Sequence, residues 1–343
     1  MTKVRDILKE MPKVDLHCHL DGSVRTSTIL DLARKQNFEL PADNVEDLRE
    51  HVRVPLDCHS LGEFLDRFET FYPLLKSAYA LERAAYELCR DCSGENTKYM
   101  EVRFAPVLQK TEDFSVPEVV KSVLDGINRG QREFDIKVNL ILCLYRGTSA
   151  EDSLRTMEAA LKYSQSGVCG IDVAGDETRF GLESFKSYIK QAKDAGLAVT
   201  IHAGEAAGPE SIRSALDCGA DRIGHGVALA KDKKLMDEVI KKEIPLEICL
   251  TSNVHTQVVK NYQAHPVRKF LEAGVKVTLN TDDRGVSGID LTYEYHKARE
   301  LGITFENIVK MDLDGIEYAF AADSLKKELK ERFIKEIEKL KQD

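Results

Sequence analysis

Residues 14–22 read Val14-Asp15-Leu16-His17-Cys18-His19-Leu20-Asp21-Gly22. The first six have the composition of a short strand, and residues two apart on a strand share a face. His17 and His19 therefore point the same way from a stiff backbone, as two imidazole ligands of one metal ion must. Asp21 and Gly22 follow where the strand turns into a loop. The pair alone is weak evidence, because a strand-end histidine is more often a hydrogen-bonded core or surface residue than a ligand. What decides its reading is what the rest of the chain supplies at equivalent positions.

Working outward, β-rich runs recur at 14–20, 99–104, 137–145, 168–173, 198–202, 222–225, 245–250 and 276–280. Polar or glycine loops and amphipathic helical segments separate them, which implies parallel βαβ units. Eight such units imply a closed (β/α)8 TIM barrel, whose sites are built at the C-terminal ends of the strands. An open doubly wound sheet is the alternative, but no G-x-G-x-x-G follows the first run. Ser60-x-x-Glu63, Ser115-x-x-Glu118 and Thr148-x-x-Glu151 have capping-box form at helix starts. Residues 43–94 are longer than an ordinary βα connection and carry signals for two or three extra helices after strand one. The chain reads as helical after the eighth run, with Leu325, Leu329, Phe333, Ile337 and Leu340 as an apolar seam. No second-domain boundary is visible, so residues 1–343 are expected to form one barrel domain.

With 43% hydrophobic residues the chain can bury a large core, and a net charge of −9 argues against nucleic-acid or acidic-membrane partners. The N-terminal residues lack the apolar centre of a signal peptide. No apolar run approaches the roughly 20 residues that span a bilayer. A cytoplasmic protein is expected. The eight cysteines are scattered, which in this setting predicts free thiols. Cys89-x-x-Cys92 has no second pair to complete a zinc knuckle and is expected to be structural.

The later runs supply partners for the two histidines. The fifth ends in I-H-A-G-E with His202 and Glu205, the sixth in R-I-G-H-G with His225, and the eighth in L-N-T-D-D with Asp282 and Asp283. On a barrel these ends converge on one mouth. Three neutral imidazoles and one carboxylate suit a zinc ion with water in the remaining position. Zinc lowers the pKa of its water towards about 7, a histidine beside that water can take its proton, and a carboxylic acid can protonate a substrate. His225 and Glu205 are the candidates for these two jobs, and Glu205 needs burial to stay protonated. Leu61, Phe64, Leu65 and Phe68 form one apolar helical face, which from pattern alone reads as barrel packing somewhat better than as a lid.

V-D-L-H-C-H-L-D-G, V-A-G-D-E, H-A-G-E, R-I-G-H-G, T-S-N and N-T-D-D, in this order over residues 13–285, closely resemble the adenosine deaminase family of metal-dependent hydrolases. The resemblance implies one zinc per chain on His17, His19, His202 and Asp282. It implies that Glu205 protonates N1 of a purine while His225 orients and deprotonates the attacking water. On the substrate side it implies His19, Asp21 at the ribose 5′-hydroxyl, Asp283 at N7 and the backbone N–H of Gly175 at N3. Leu61, Phe64, Leu65 and Phe68 match the family's apolar gate. Strand four runs into Gly175-Asp176-Glu177 without the bridging lysine of binuclear relatives, so one metal is expected. The H-x-E with P-C-x-x-C of other zinc deaminases is absent.

The implied reaction is hydrolytic deamination of adenosine, and of 2′-deoxyadenosine, to the inosine product and ammonia. Adenine, N6-methyl-AMP and aminodeoxyfutalosine deaminases share the metal site. Adenine-type relatives tend to carry glutamate and aspartate where this chain has Asp21 and Gly224. A 5′-phosphate would be repelled by Asp21, although Arg25 is only four residues away. A non-catalytic binding barrel would be expected to have lost a ligand or the acid, and this chain keeps both.

Overall fold

The computed structural model describes residues 6–55, 58 and 60–342. Eight parallel strands pair in sequence order: β1 Lys13–His19, β2 Thr97–Phe104, β3 Lys137–Tyr145, β4 Val168–Ala174, β5 Ala198–Ala203, β6 Arg222–His225, β7 Leu246–Ile248 and β8 Val277–Leu279. The ring closes where Cys18 bridges Asp282: the His19 N–H donates to Asp282 O at 2.7 Å and the Asp282 N–H to His17 O at 2.8 Å. This is the expected TIM barrel, with every strand end on one rim.

Two local readings needed correction. The seventh strand stops at Ile248, because Leu250–His255 is already helical. The buried Glu294 carboxylate accepts from the Thr251 N–H at 3.2 Å and caps that helix start. The cap before the helix Ala150–Tyr163 is Ser149, whose hydroxyl accepts from the Asp152 N–H at 3.1 Å. Thr148 instead donates to Tyr145 O at 2.7 Å. Ser60 and Ser115 cap their helices as expected.

Between β1 and β2 stand the helices Thr26–Gln36, Val45–Val52, Leu61–Glu69 and Ala78–Gly94. Cys89 and Cys92 are buried in the last of these, and all eight cysteines are free thiols. The terminal helix Asp323–Gln342 buries Leu329, Phe333 and Ile337, with Leu325 and Leu340 partly covered against the core.

The barrel interior holds charge. Glu101, Arg103, Asp172, Arg222 and Glu247 are all fully buried. Arg222 donates from Nε to Glu247 Oε1 at 2.6 Å and from Nη2 to Glu101 Oε2 at 2.5 Å, and its guanidinium lies 3.5 Å from the centre of the Phe320 ring. Arg103 donates to Asp172 Oδ2 at 3.0 Å and to Glu247 Oε2 at 2.9 Å. Ions without water persist only when paired, because desolvation costs several kcal/mol for each. Arg222→Met should therefore lower the unfolding free energy by about 3–5 kcal/mol, since it strands buried Glu101 and takes one of two guanidinium partners from Glu247. Urea denaturation measures this, and a loss below about 1 kcal/mol would show that Arg222 contributes no more than an exposed ion pair.

Candidate metal centre and active site

β1 delivers His17 and His19, β5 delivers His202, and Asp282 follows β8. One ligand-type atom from each of the four lies within 4.8 Å of all the others. Asp282 Oδ1 is 3.2 Å from His17 Nε2 and 3.4 Å from His19 Nε2, which in turn is 3.3 Å from His202 Nε2. Lone pairs on two imidazole nitrogens repel at that separation unless a proton or a metal ion lies between them. His17 Nε2 is fully buried against that Asp282 oxygen. Burial and Arg103 lower the pKa of His17, yet its bonds to Asp282 and Glu247 raise it to about 9. The cluster thus attracts a proton where a cation would sit. Three nitrogens and one carboxylate oxygen fit a metal ion.

The far nitrogens are held from behind. His17 Nδ1 lies 2.8 Å from Glu247 Oε2 and His202 Nδ1 lies 2.9 Å from Asp172 Oδ2. A carboxylate there fixes the proton on Nδ1 and leaves Nε2 bare for a metal. Burial opposes ionisation of Asp172, but His202 and Arg103 hold its carboxyl well below the usual range.

His19, Asp21, Phe64, Leu65, Phe68, Gly175, His202, Glu205, His225, Asp282 and Asp283 line one cleft of about 620 Å³. His17 lies behind it, fully buried, and the Leu61 side chain lies outside the described residues. Phe64, Leu65 and Phe68 face this cleft, so the apolar stripe does more than pack on the barrel.

Glu205 sits on the turn after β5, with Oε2 3.7 Å from His225 Nε2. Burial, with the charges of Asp282 and Glu177, pushes its pKa up to about 8. Burial together with Asp282, Asp21 and Glu205 raises Asp283 well above the carboxylate range. Burial thus favours the neutral form of both, and a protonated carboxyl is a hydrogen-bond donor. Gly22 leaves room for the second of them, since a Cβ there would lie 1.7 Å from Asp283 Oδ1. His225 and Asp282 have φ of 60° and 59°, a left-handed conformation that costs a non-glycine residue and clusters at functional sites.

Motif reading missed the supports. Glu177 accepts from the Gly204 N–H at 2.9 Å and the Ala207 N–H at 2.8 Å, fixing the turn that carries Glu205. The Tyr72 hydroxyl donates to Asp21 Oδ2 at 2.9 Å. Asp172 and Glu247 left a signal as single charges inside apolar strands (I-D-V and L-E-I), whereas Tyr72 left none.

A closed barrel whose strand ends present three histidines and an aspartate around one point defines a metal-dependent hydrolase. The chain belongs to the adenosine deaminase family, whose model, described as Adenosine deaminase, matches residues 12–336. It is 41% identical over 332 residues to the adenosine deaminase of Aliivibrio fischeri, covering 96% of this chain and 99% of that one. It is 39% identical over 325 residues to that of Clostridium perfringens, covering 94% and 98%. An N6-methyl-AMP deaminase from Arabidopsis thaliana superposes with a TM-score of 0.84 at 30% identity, covering 96% of this chain and 98% of that chain.

Asp172→Asn keeps the size of the side chain but gives up the charge behind His202. Chelator competition should show metal affinity reduced by about 10–100-fold. Parental affinity would mean that Asp172 serves only Arg103.

Proposed function

We propose that this protein is a zinc-dependent adenosine deaminase that hydrolyses adenosine and 2′-deoxyadenosine to the corresponding inosine and ammonia. The observation that carries this reading is a three-histidine, one-carboxylate cluster opening onto a cleft that holds two further buried carboxyls and, among the described residues, no lysine or arginine. Among the described residues no helix is long and apolar enough to cross a membrane. We place the chain in the cytoplasm as a single barrel domain over residues 1–343.

His17, His19, His202 and Asp282 would hold one zinc ion, the metal suited to this donor set. Bound there it would lower the pKa of a water towards about 7 and so make hydroxide available near neutral pH. Protonated Glu205 gives its proton to purine N1, which draws electrons from C6 and makes it electrophilic. Neutral Asp283 donates to N7, and the Gly175 N–H meets N3. His225 orients the oxygen that adds to C6; the proton of the added hydroxyl then passes to N6, the C6–N6 bond breaks as C6=O forms, and ammonia leaves. Asp21, steadied by Tyr72, receives the ribose 5′-hydroxyl. Phe64, Leu65 and Phe68, with Leu61, exclude water from the cleft.

Nucleoside is favoured over nucleotide and over free base. Arg25 is turned away from the cleft, donating to Asp91 Oδ2 at 2.6 Å, so a 5′-phosphate beside Asp21 would find no lysine or arginine among the described residues of the cleft. A Cβ on Gly224 would lie 3.2 Å from His17 Cε1 and from His202 Cα, so an aspartate there would crowd two metal-facing histidines. Ultraviolet assays of adenosine, adenine, AMP and N6-methyl-AMP side by side should give the highest kcat/KM for adenosine. A preference for any of the other three overturns the assignment.

Asp21→Ala should retain zinc and raise KM for adenosine by tenfold or more, since a hydrogen bond to a charged group is worth about 1.5–3 kcal/mol. An unchanged KM would remove Asp21 from the ribose site.

Glu205→Gln should retain zinc and bind adenosine, yet lose about 10²–10⁴ in kcat, because its proton matters chiefly in the transition state. The acid form is present below its raised pKa and lost above it, so parental kcat/KM should fall as pH rises through about 8. A zinc ion nearby lowers that midpoint without changing the sign. Near-parental kcat in the Gln variant, or an alkaline limb that persists in it unchanged, would exclude Glu205 as the acid.

A further inference from the structure

Behind His225, on the side away from the cleft, runs a chain of buried polar groups that the mechanism above leaves unused. His225 Nδ1 lies 3.0 Å from Asn253 Nδ2, and Asn253 Oδ1 lies 3.2 Å from His265 Nε2. The chain ends at backbone, where the Val267 N–H donates to His265 Nδ1 at 3.1 Å. Val267 is the first residue of the helix Val267–Ala273, so its N–H has no intrahelical acceptor and needs one from outside. His225, Asn253 and His265 are all buried.

The direction of every proton follows from that backbone end. An N–H can only donate, so His265 Nδ1 must carry a lone pair. An imidazole with a bare Nδ1 is neutral and has its proton on Nε2. Burial favours the same state, lowering the pKa of His265 to about 3. His265 Nε2 therefore donates, and the atom of Asn253 facing it must be the oxygen. The reversed amide would put an N–H₂ against a nitrogen that already bears a proton, so it is excluded. The amide nitrogen is then left to donate to His225 Nδ1, which must accept. A neutral His225 thus carries its proton on Nε2, the nitrogen that lies 3.7 Å from Glu205 Oε2 and 4.0 Å from Asp282 Oδ2 at the cleft.

We propose that His265 and Asn253 are positioning residues that hold the His225 proton on Nε2, so that His225 meets the attacking oxygen as a hydrogen-bond donor. This rests on the hydrolytic reading of the cleft and deepens it. A nitrogen that already holds a proton has no lone pair to take another. The orienting role of His225 stands, and the proton-abstracting role drawn from the resemblance gives way to donation. No proton needs to pass to His225, because a hydroxide ion is itself an acceptor and is oriented best by a donor. The left-handed φ of His225 contributes by turning the ring between this chain and the cleft.

Asn253→Asp gives the sharpest test, because it is isosteric and presents oxygen on both sides. One oxygen still accepts from His265 Nε2; the other obliges His225 to place a proton on Nδ1. Enzyme labelled with ¹⁵N in its histidine rings, loaded with zinc, reads this directly, with His225 assigned through the signals lost in His225→Asn. The parent should show His225 protonated at Nε2 and bare at Nδ1, and Asn253→Asp should show the proton at Nδ1. His265→Phe should broaden or split the His225 signals, because the Asn253 amide is then free to turn over. In both variants kcat for adenosine should fall at least about tenfold with zinc content and KM near parental, a wrong tautomer being able to cost far more. A parent protein with His225 protonated at Nδ1 overturns the proposal, whatever the variants do. So does Asn253→Asp or His265→Phe with parental kcat. A parent that fails to turn over adenosine counts against the functional reading alone, since the ring spectra do not depend on turnover.

Discussion

One carboxylate near the barrel axis carries more of this structure than any residue in the cleft. Glu247 Oε2 accepts from His17 Nδ1 at 2.8 Å and Arg103 Nη2 at 2.9 Å, and Oε1 accepts from Arg222 Nε at 2.6 Å and Thr200 Oγ1 at 2.9 Å. Those donors stand on β1, β2, β6 and β5, so a side chain on β7 ties four other strands across the interior. Burial would raise its pKa, but the two guanidinium groups hold it well below the carboxylate range. The same group turns His17 so that Nε2 faces the metal cluster. That one carboxylate thus joins the ion pairs of the barrel interior to the orientation of a metal-facing histidine, linking the electrostatics of the fold to the chemistry of the site.

The site is placed where the strands give out. His225 and Asp282 both turn left-handed at the ends of their strands, at a cost of order 1–3 kcal/mol each. An extended residue would send its side chain along the strand face, into the barrel or out to the helices. The left-handed turn aims it over the rim instead. The bonds that join Asp282 to β1 hold the strained residue in place and close the ring of strands in the same step.

Much of this was legible in the chain itself. The alternation of apolar runs with capped helical segments located all eight strands to within a few residues, because period and punctuation are local properties. The same locality explains the errors. Thr148 and Ser149 are both competent caps, and only the turn geometry at Tyr145 decides between them. Strand ends also exposed His17, His19, His202 and Asp282 as a group, since a barrel gathers such positions at one rim. Contacts across the barrel were out of reach: nothing near Glu247 in sequence says that it faces His17, and Arg25 stands close to Asp21 in sequence yet is drawn to Asp91. His265 and Asn253 lie twelve residues apart, and their bond exists only because the chain folds back between two helices.

The supports that sequence could not reveal give the cleft its chemical character. Carboxylates and backbone amides fix each functional group in one protonation state, and the states have a common sense. Burial favours the protonated, donating form of Glu205 and Asp283, His225 offers Nε2–H in the arrangement argued above, and the proposed role of the Gly175 N–H adds another donor. Among the described residues no lysine or arginine lines the wall. A flat heterocycle with unprotonated nitrogens on several edges is the natural complement of such a surface, and a purine offers N1, N3 and N7. A phosphate group would need a lysine or arginine, and none of the described residues lining the cleft is one. A protonated or cationic ring would meet donors where it needs acceptors. In the function proposed above, Asp21 is the acceptor kept for the sugar hydroxyl, and elsewhere the cleft selects by the direction of its protons, which groups behind the cleft wall set.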